Sequence, residues 1–511
     1  MGSTNSRPDE SVRESGKSSN VPLRRLSRGS PLVGEALDKS IWRERKFGPK
    51  YQSDSYNFVD TERCAKKAFL SDWSHTSGGA VLAADMTGRA FGSTKLTRHI
   101  LEAIMDVLFE HYPMLLRVFT YYSCIGSEVT GAIFGIGKAG YTLLLNDSRL
   151  DLNDSDSYVV GSSDQDVRRI PRHAKRRGED GFDLLWTAVN ASAISQAQGK
   201  TNAKERLVRS EFLEWVVRAA TDEQPPERMV QNVQIFCQDL SYFLGIHDMA
   251  LLIFSNANWF RLDACYVIEV DSILRKHAYT LRSIFEVYAA AKGAGNDTAE
   301  RDDLMNYDEW ALLWQELGFT RELTDRKVGS SFAQSRMLVI NEHSRSGKSV
   351  QLERLPFEGF LEAFLRIADI KALPSAEELE AHGHVYPGDY VMSIRSKGVQ
   401  VYQGWAIEAN RLQDEGMADP LWERLDCLVM IIVHAMQNGV EASKGSCATG
   451  VTRRHTTDVK LSMREVKTYR SAPQPNLLGS TEMADAGHPN LSMGRIGRDR
   501  TSQKLHGSKQ G

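Results

Sequence analysis

Residues 199–220 read GKTNAKERLVRSEFLEWVVRAA, and residues 347–368 read GKSVQLERLPFEGFLEAFLRIA. Aligned without a gap they are identical at Gly199/Gly347, Lys200/Lys348, Glu205/Glu353, Arg206/Arg354, Leu207/Leu355, Phe212/Phe360, Leu213/Leu361, Glu214/Glu362, Arg218/Arg366 and Ala220/Ala368, at an offset of 148. Upstream of each copy lies a second matching pair. HYPMLLRVFTYY from His111 and HAYTLRSIFEVY from His277 share H-x3-L-x3-F-x2-Y, equating Leu115 with Leu281, Phe119 with Phe285 and Tyr122 with Tyr288. Each is followed by a lone apolar residue and an aromatic five positions later, Ile136/Tyr141 and Met305/Trp310. The order along the chain is A, B, A, B, a duplicated two-unit module, and internal repeats of this kind decide how the rest is read.

Each unit reads helix, loop, one apolar residue, helix. Phe212, Trp215, Val216 and Ala219 recur at amphipathic helical spacing in one exiting helix, and Phe360, Leu361, Phe364 and Ile367 in the other. The GK[ST] triplets invite a different reading, that of a phosphate-binding loop. Such a loop needs a glycine five residues before its GK[ST] and a strand leading into it. Ile194 and Glu342 occupy that glycine position, and the run before Gly199 has helical spacing, so neither copy meets the requirement.

At Leu207–Phe212 the pattern L-x-x-x-E-F resembles the end of an EF-hand loop. There an apolar residue at position 8 pairs with a partner loop, a Glu closes position 12 and a Phe opens the exiting helix. The resemblance covers roughly residues 100–372 in four helix–loop–helix units. More narrowly, the refrain L…FLE…RIA is similar to that of degenerate multi-hand proteins of the protist and algal flagellar or cytoskeletal type. It implies a mainly α fold with two tandem EF-hand-like modules, 51–222 and 223–372. Leu207 then lies beside Ile136, and Leu355 beside Met305, across short loop–loop pairings.

The same frame tests calcium chemistry, which needs oxygen ligands at positions 1, 3, 5 and 12 and a Gly at 6. Counting back from Glu211, positions 1, 3, 5 and 6 are Lys200, Asn202, Lys204 and Glu205. In the sister loop positions 1 and 12 are Lys348 and Gly359, and the loop after Tyr122 holds a single carboxylate. Three of the four loops lack a ligand set. In the remaining one, Met305 at position 8 places Glu300 at 3, Asp302 at 5 and Glu309 at 12, with Thr298 at 1 and Asp303 in place of the turn Gly. Glu300, Asp302 and Glu309 are the candidate metal ligands, for one weak Ca2+ at most. The competing reading is an acidic solvated loop at a helix N-terminus, which favours negative charge.

Composition bounds the remaining function classes. With 511 residues and 41% hydrophobic content the chain can bury a sizeable core in more than one domain. A net charge of −3 implies no bulk attraction to nucleic acid. Cys64, Cys124, Cys237, Cys265, Cys427 and Cys447 form no C-x-x-C pair, and the thirteen histidines form no H-E-x-x-H set. No catalytic residues or cofactor-binding motif stand out. The longest apolar run, LVMIIVHAM, is shorter than the ~20 residues of a membrane span, and the N-terminus shows no secretory apolar core.

The ends differ from the middle. Residues 1–50 form an arm rich in Ser, Gly, Pro and Arg, and residues 441–511 a tail with 12 Lys+Arg against 6 Asp+Glu; both are expected to be disordered. Between module and tail, 373–440 is a helical extension. It opens on a capping box from Ser375 to Glu378 and closes on the amphipathic PLWERLDCLVMIIVHAMQ, whose apolar face is expected to dock on the second module. The arm starts MGSTNS, the acceptor pattern for myristate on Gly2. One such chain binds membrane marginally and needs a second signal. LRRLSRGS (23–30) supplies one in Arg24, Arg25 and Arg28, and its R-R-x-S makes Ser27 a kinase acceptor whose phosphate would weaken attraction to anionic lipid.

Three functions follow as expectations. The leading one is a non-enzymatic scaffold or adaptor whose grooves hold protein partner helices. Its N-terminal arm ties it to a membrane surface, cytoskeleton or cilium from the cytoplasm. The second is a calcium-responsive sensor using the 298–309 loop, and the third a nucleotide-binding enzyme acting through the GK[ST] loops.

Overall fold

The stretches with helical periodicity are helices in the structure, a computed structural model that describes residues 29–43, 59–77, 88–89, 95–96, 98–125, 135–150, 174–190, 206–221, 225–247, 250–253, 255–289, 304–319, 322–341, 354–414, 419–443 and 460–471. In the first repeat, α1 (Glu62–Ser74) precedes α2 (Arg98–Ser123), which leads through β1 (Ile136–Gly137) into α3 (Lys138–Asp147). Then α4 (Ala174–Asn190) leads through β2 (Arg206–Leu207) into α5 (Arg209–Thr221), followed by α6 (Pro226–Gly245). The second repeat runs α7 (Ile268–Lys276), α8 (Ala278–Ala289), α9 (Tyr307–Glu316), α10 (Asp325–Gln334) and α11 (Phe357–Ile370). Beyond it come α12 (Ala376–Ala381), α13 (Pro387–Ser396), α14 (Val399–Asp414), α15 (Leu421–Ser443) and α16 (Met463–Ser471). The fold is mainly α.

The loop pairings expected from the repeat are present. Ile136 lies opposite Leu207 and Gly137 opposite Arg206 in an antiparallel pair. Met305 and Leu355 exchange two backbone hydrogen bonds, at 2.9 and 2.8 Å. All four apolar residues are fully buried. A single loop would leave these backbone groups unsatisfied beneath the helices, so each loop completes the other.

Equivalent residues make equivalent contacts in the two repeats. The rings of Phe119 and Phe212 lie 5.8 Å apart, and those of Phe285 and Phe360 5.4 Å apart. Tyr141 donates its hydroxyl to the Phe182 carbonyl at 2.6 Å, and Trp310 its indole N–H to the Val328 carbonyl at 3.1 Å. In each case the exiting helix of one unit bonds to the entering helix of the next. Tyr122 donates to Asp147 at 2.7 Å and Tyr288 to Glu316 at 2.6 Å. Both carboxylates lie eleven residues after the buried loop residue.

Two hydrophobic cores result. One spans Ala68 to Ile253, and the other joins Leu32, Trp42 and Val59 to residues from Phe260 to Tyr469. They abut where α2 ends. Gly329 on α10 packs so closely on Cys124 that a Cβ there would stand 2.8 Å from the Cys124 Cβ.

Several boundaries differ from expectation. The division placed at 222/223 falls just before α6, yet Met229, Val233, Phe236, Cys237, Leu240 and Leu244 of α6 belong to the first core. An amphipathic stripe says that a helix is covered, not by which core. Residues 29–43, inside the arm read as disordered, dock on the second core. Leu32 N–H bonds to the Tyr266 carbonyl at 2.8 Å, and the Trp42 ring meets Tyr266 edge-on at 5.5 Å. Residues 460–471, inside the tail read as disordered, include α16, with Leu461, Val466 and Tyr469 fully buried. Neither segment has enough apolar surface to order itself, but each has enough to cover a core that already exists. The helical extension docks as expected, with Leu425, Leu428, Ile432 and Met436 of α15 in the second core. Only half of its capping box forms. Ser375 Oγ accepts the Glu378 N–H at 3.1 Å, while the Glu378 carboxylate receives Tyr390 and Trp405 instead.

Candidate functional site

At the ends of two of the loops, a glutamate turns back on its own helix. Glu211 accepts the Val208 N–H at 3.0 Å. Glu309 accepts the Asn306 N–H at 2.8 Å while the Asn306 side chain accepts the Glu309 N–H at 2.9 Å, a complete capping box. Both glutamates are buried. The other candidate calcium ligands, Glu300 and Asp302, lie outside the described residues, as do Thr298, Lys200, Lys348 and both GK[ST] triplets. Among the described residues no group of three or more His, Cys, Asp or Glu is placed to hold a metal ion.

The shared FLE…R refrain builds a buried ion pair in each exiting helix. In α5, Glu214 pairs with Arg218 and also receives the backbone N–H of Ser77 at 3.0 Å and its hydroxyl at 2.7 Å. In α11, Glu362 receives Arg366 at 2.6 Å and Arg261 at 3.0 Å. The repeated histidines diverge. His277 contacts Asp426 on α15, whereas His111 Nε2 is buried with no hydrogen-bond partner among the described residues. Cys64, Cys124, Cys237, Cys265 and Cys427 are buried thiols, and burial pushes Cys124, Cys237 and Cys427 up to about 12. Those three stay protonated near neutral pH, which disfavours reaction. Cys447 lies outside the described residues.

The two cores meet over a charged seam. A single π-helical turn, Arg261–Cys265, continues the helix Ala257–Phe260 and holds Arg261 fully buried between them. Arg261 donates to Glu362, to Asp60 at 3.0 Å and to the carbonyls of Gln334 and Arg336. Arg209, at the start of α5, holds Asp72 with two hydrogen bonds of 2.5 and 3.0 Å and reaches the Val339 carbonyl at 2.8 Å. Tyr112 adds a third bond to Asp72 at 2.7 Å. Here the first core is tied to the segment that follows α10.

Beside this seam opens a cavity of about 490 Å³. Its walls are residues 60–65 at the entry to α1, α2 from Phe109 to Ser123, Arg209 of α5, Ile253 with residues 255–259, and the segment from Ala333 to Val339. Arg117 on α2 lines it, half-buried, with its pKa pulled below the ordinary value by burial. Sequence reasoning did not find this place, because its residues come from several stretches far apart in the chain.

Gly2, Arg24, Arg25, Ser27 and Arg28 lie outside the described residues. No helix among the described residues is long and apolar enough to cross a membrane. No protein-family model, curated protein or solved structure matches the chain.

Proposed function

We propose that the chain is a non-enzymatic scaffold made of two EF-hand-like modules that works without calcium and is carried to a membrane or cytoskeletal surface by its N-terminal arm. The observation behind this reading is the use made of the position-12 carboxylates. Glu211 and Glu309 face inward as helix caps, while their loops are pinned through Leu207 and Met305 to the partner loops. A sensor needs a loop free to rearrange when an ion arrives, and pinned, capped loops favour a module held in one state.

The surfaces of α2 and α5 are covered by α6, through contacts such as Trp215 to Phe236 at 5.8 Å, and that of α11 by α15. The chain's own helices thus cover these faces, and in this reading partner helices dock elsewhere on the modules.

Calorimetric titration of the full chain with calcium tests the proposal. The scaffold reading expects no saturable heat up to millimolar calcium. A saturable exotherm that Glu309→Gln abolishes would replace it with the sensor reading.

A further inference from the structure

The cavity between the cores carries an inference that is independent of the EF-hand-like reading. Most polar side chains in its wall are already engaged within the protein. Arg209 holds Asp72, Asp60 takes Arg261 and the Leu338 N–H, Asn258 donates to the Asp60 carbonyl, and Gln334 accepts from Arg366. Arg117 differs. It makes no hydrogen bond or ion pair with any described residue. Glu62 and Glu110, also in the wall, are exposed to solvent.

A guanidinium drawn out of water with no counter-charge is unfavourable, and its planar fork is shaped for a carboxylate. The rest of the wall is largely apolar, with Phe109, Leu116, Phe119, Ile253, Trp259 and Met337 contributing. The volume falls within the range of roughly 300–1,000 Å³ typical of small-molecule sites, which combine apolar walls with a few convergent polar groups. The geometry points to a binding site for a small organic anion with an apolar body, a medium-chain monocarboxylate, whose carboxylate is received by Arg117. A single charge on the ligand matches Arg117, the wall cation without a partner among the described residues. The other wall arginines, Arg209 and Arg336, already interact within the protein.

The test is calorimetric titration of the full chain with octanoate and, in parallel, with octanol, which has the same alkyl length and no charge. Wild type is expected to bind octanoate saturably at one site and octanol at least tenfold more weakly. Arg117→Gln should remove that preference while leaving octanol affinity unchanged, and Arg117→Lys should retain part of it. Absence of saturable octanoate binding, or equal affinity for the two probes in wild type, overturns the proposal without any variant. So does undiminished octanoate binding by an Arg117→Gln protein that melts like wild type.

Discussion

Glu362 carries the charge balance of the seam between the cores. It is fully buried and accepts from both Arg261 and Arg366. Replacing it with Gln takes the carboxylate from both buried guanidinium groups, of which Arg261 keeps Asp60, and breaking a buried pair in this way typically costs about 3–5 kcal/mol. Its repeat equivalent, Glu214, has a milder setting, since Arg218 is 17% exposed and the other donors come from Ser77. Glu214→Gln should therefore cost less, on the order of 1–3 kcal/mol. Urea midpoints of the two variants check the ranking, and equal losses would mean that the repeat position, not the burial of its partner, sets the cost.

At the scale of elements, the exiting helices α5 and α11 enter their cores through Phe212 and Phe360. Each is at most 1% exposed and stacks on an aromatic neighbour, Trp215 at 5.7 Å and Phe357 at 6.1 Å. Truncation to Ala should cost roughly 3–5 kcal/mol at each site. Because the two rings lie in different cores, the double variant should be additive within about 0.5 kcal/mol. A larger coupling in denaturant titrations would show that the cores unfold as one.

A second element-scale device joins the module to its extension. Glu322, ahead of α10, pairs with Lys371 at the end of α11 and with Arg395 on α13. Burial disfavours its ionised form, but the two cations outweigh burial and hold the carboxyl below its ordinary value of 4.5. A folded value below the unfolded one means that the stabilisation is present above 4.5 and is lost as pH falls through the folded value. Glu322→Gln should thus lower the melting temperature at neutral pH, and the gap to wild type should close as pH drops below 4.5. A gap that stays constant down to acid pH would show that the pair contributes no linked stability.

For the whole molecule, the arm is the part whose consequences reach furthest. Residues 29–43, which follow the arm, are anchored to the second core by the Ser30 and Leu32 backbone hydrogen bonds. If the arm is acylated, Gly2→Ala should shift the protein from membrane to soluble fractions, since the chain supplies most of a marginal affinity. Neutralising Arg24, Arg25 and Arg28 together should do nearly the same, at about 1 kcal/mol per charge near an anionic surface. Ser27→Asp should act in that direction more weakly, because a carboxylate carries less charge than a phosphate. Flotation with anionic vesicles of protein acylated in cells ranks the four. Equal soluble fractions would remove the arm from localisation and pass that role to another surface.

The sequence by itself determined the repeat and, through it, the helical class and the residues that pair across the loops. This was possible because periodicity and self-similarity are local, and Leu207, Ile136, Leu355 and Met305 can be placed by counting from Phe212, Tyr141, Phe360 and Trp310. Some missed features had local signals. Ser462 and Glu465 form the S-x-x-E cap of α16, and Asn306 to Glu309 is a comparable box at the start of α9. What only the tertiary structure decided is which distant residues meet. Asp72 with Arg209, Arg261 with Glu362, α6 with the first core and Arg117 with the cavity each join stretches far apart in the chain. Charge complementarity makes such pairings possible between many candidates, and only the packing of whole helices brings one arginine to its carboxylate while leaving another facing open space.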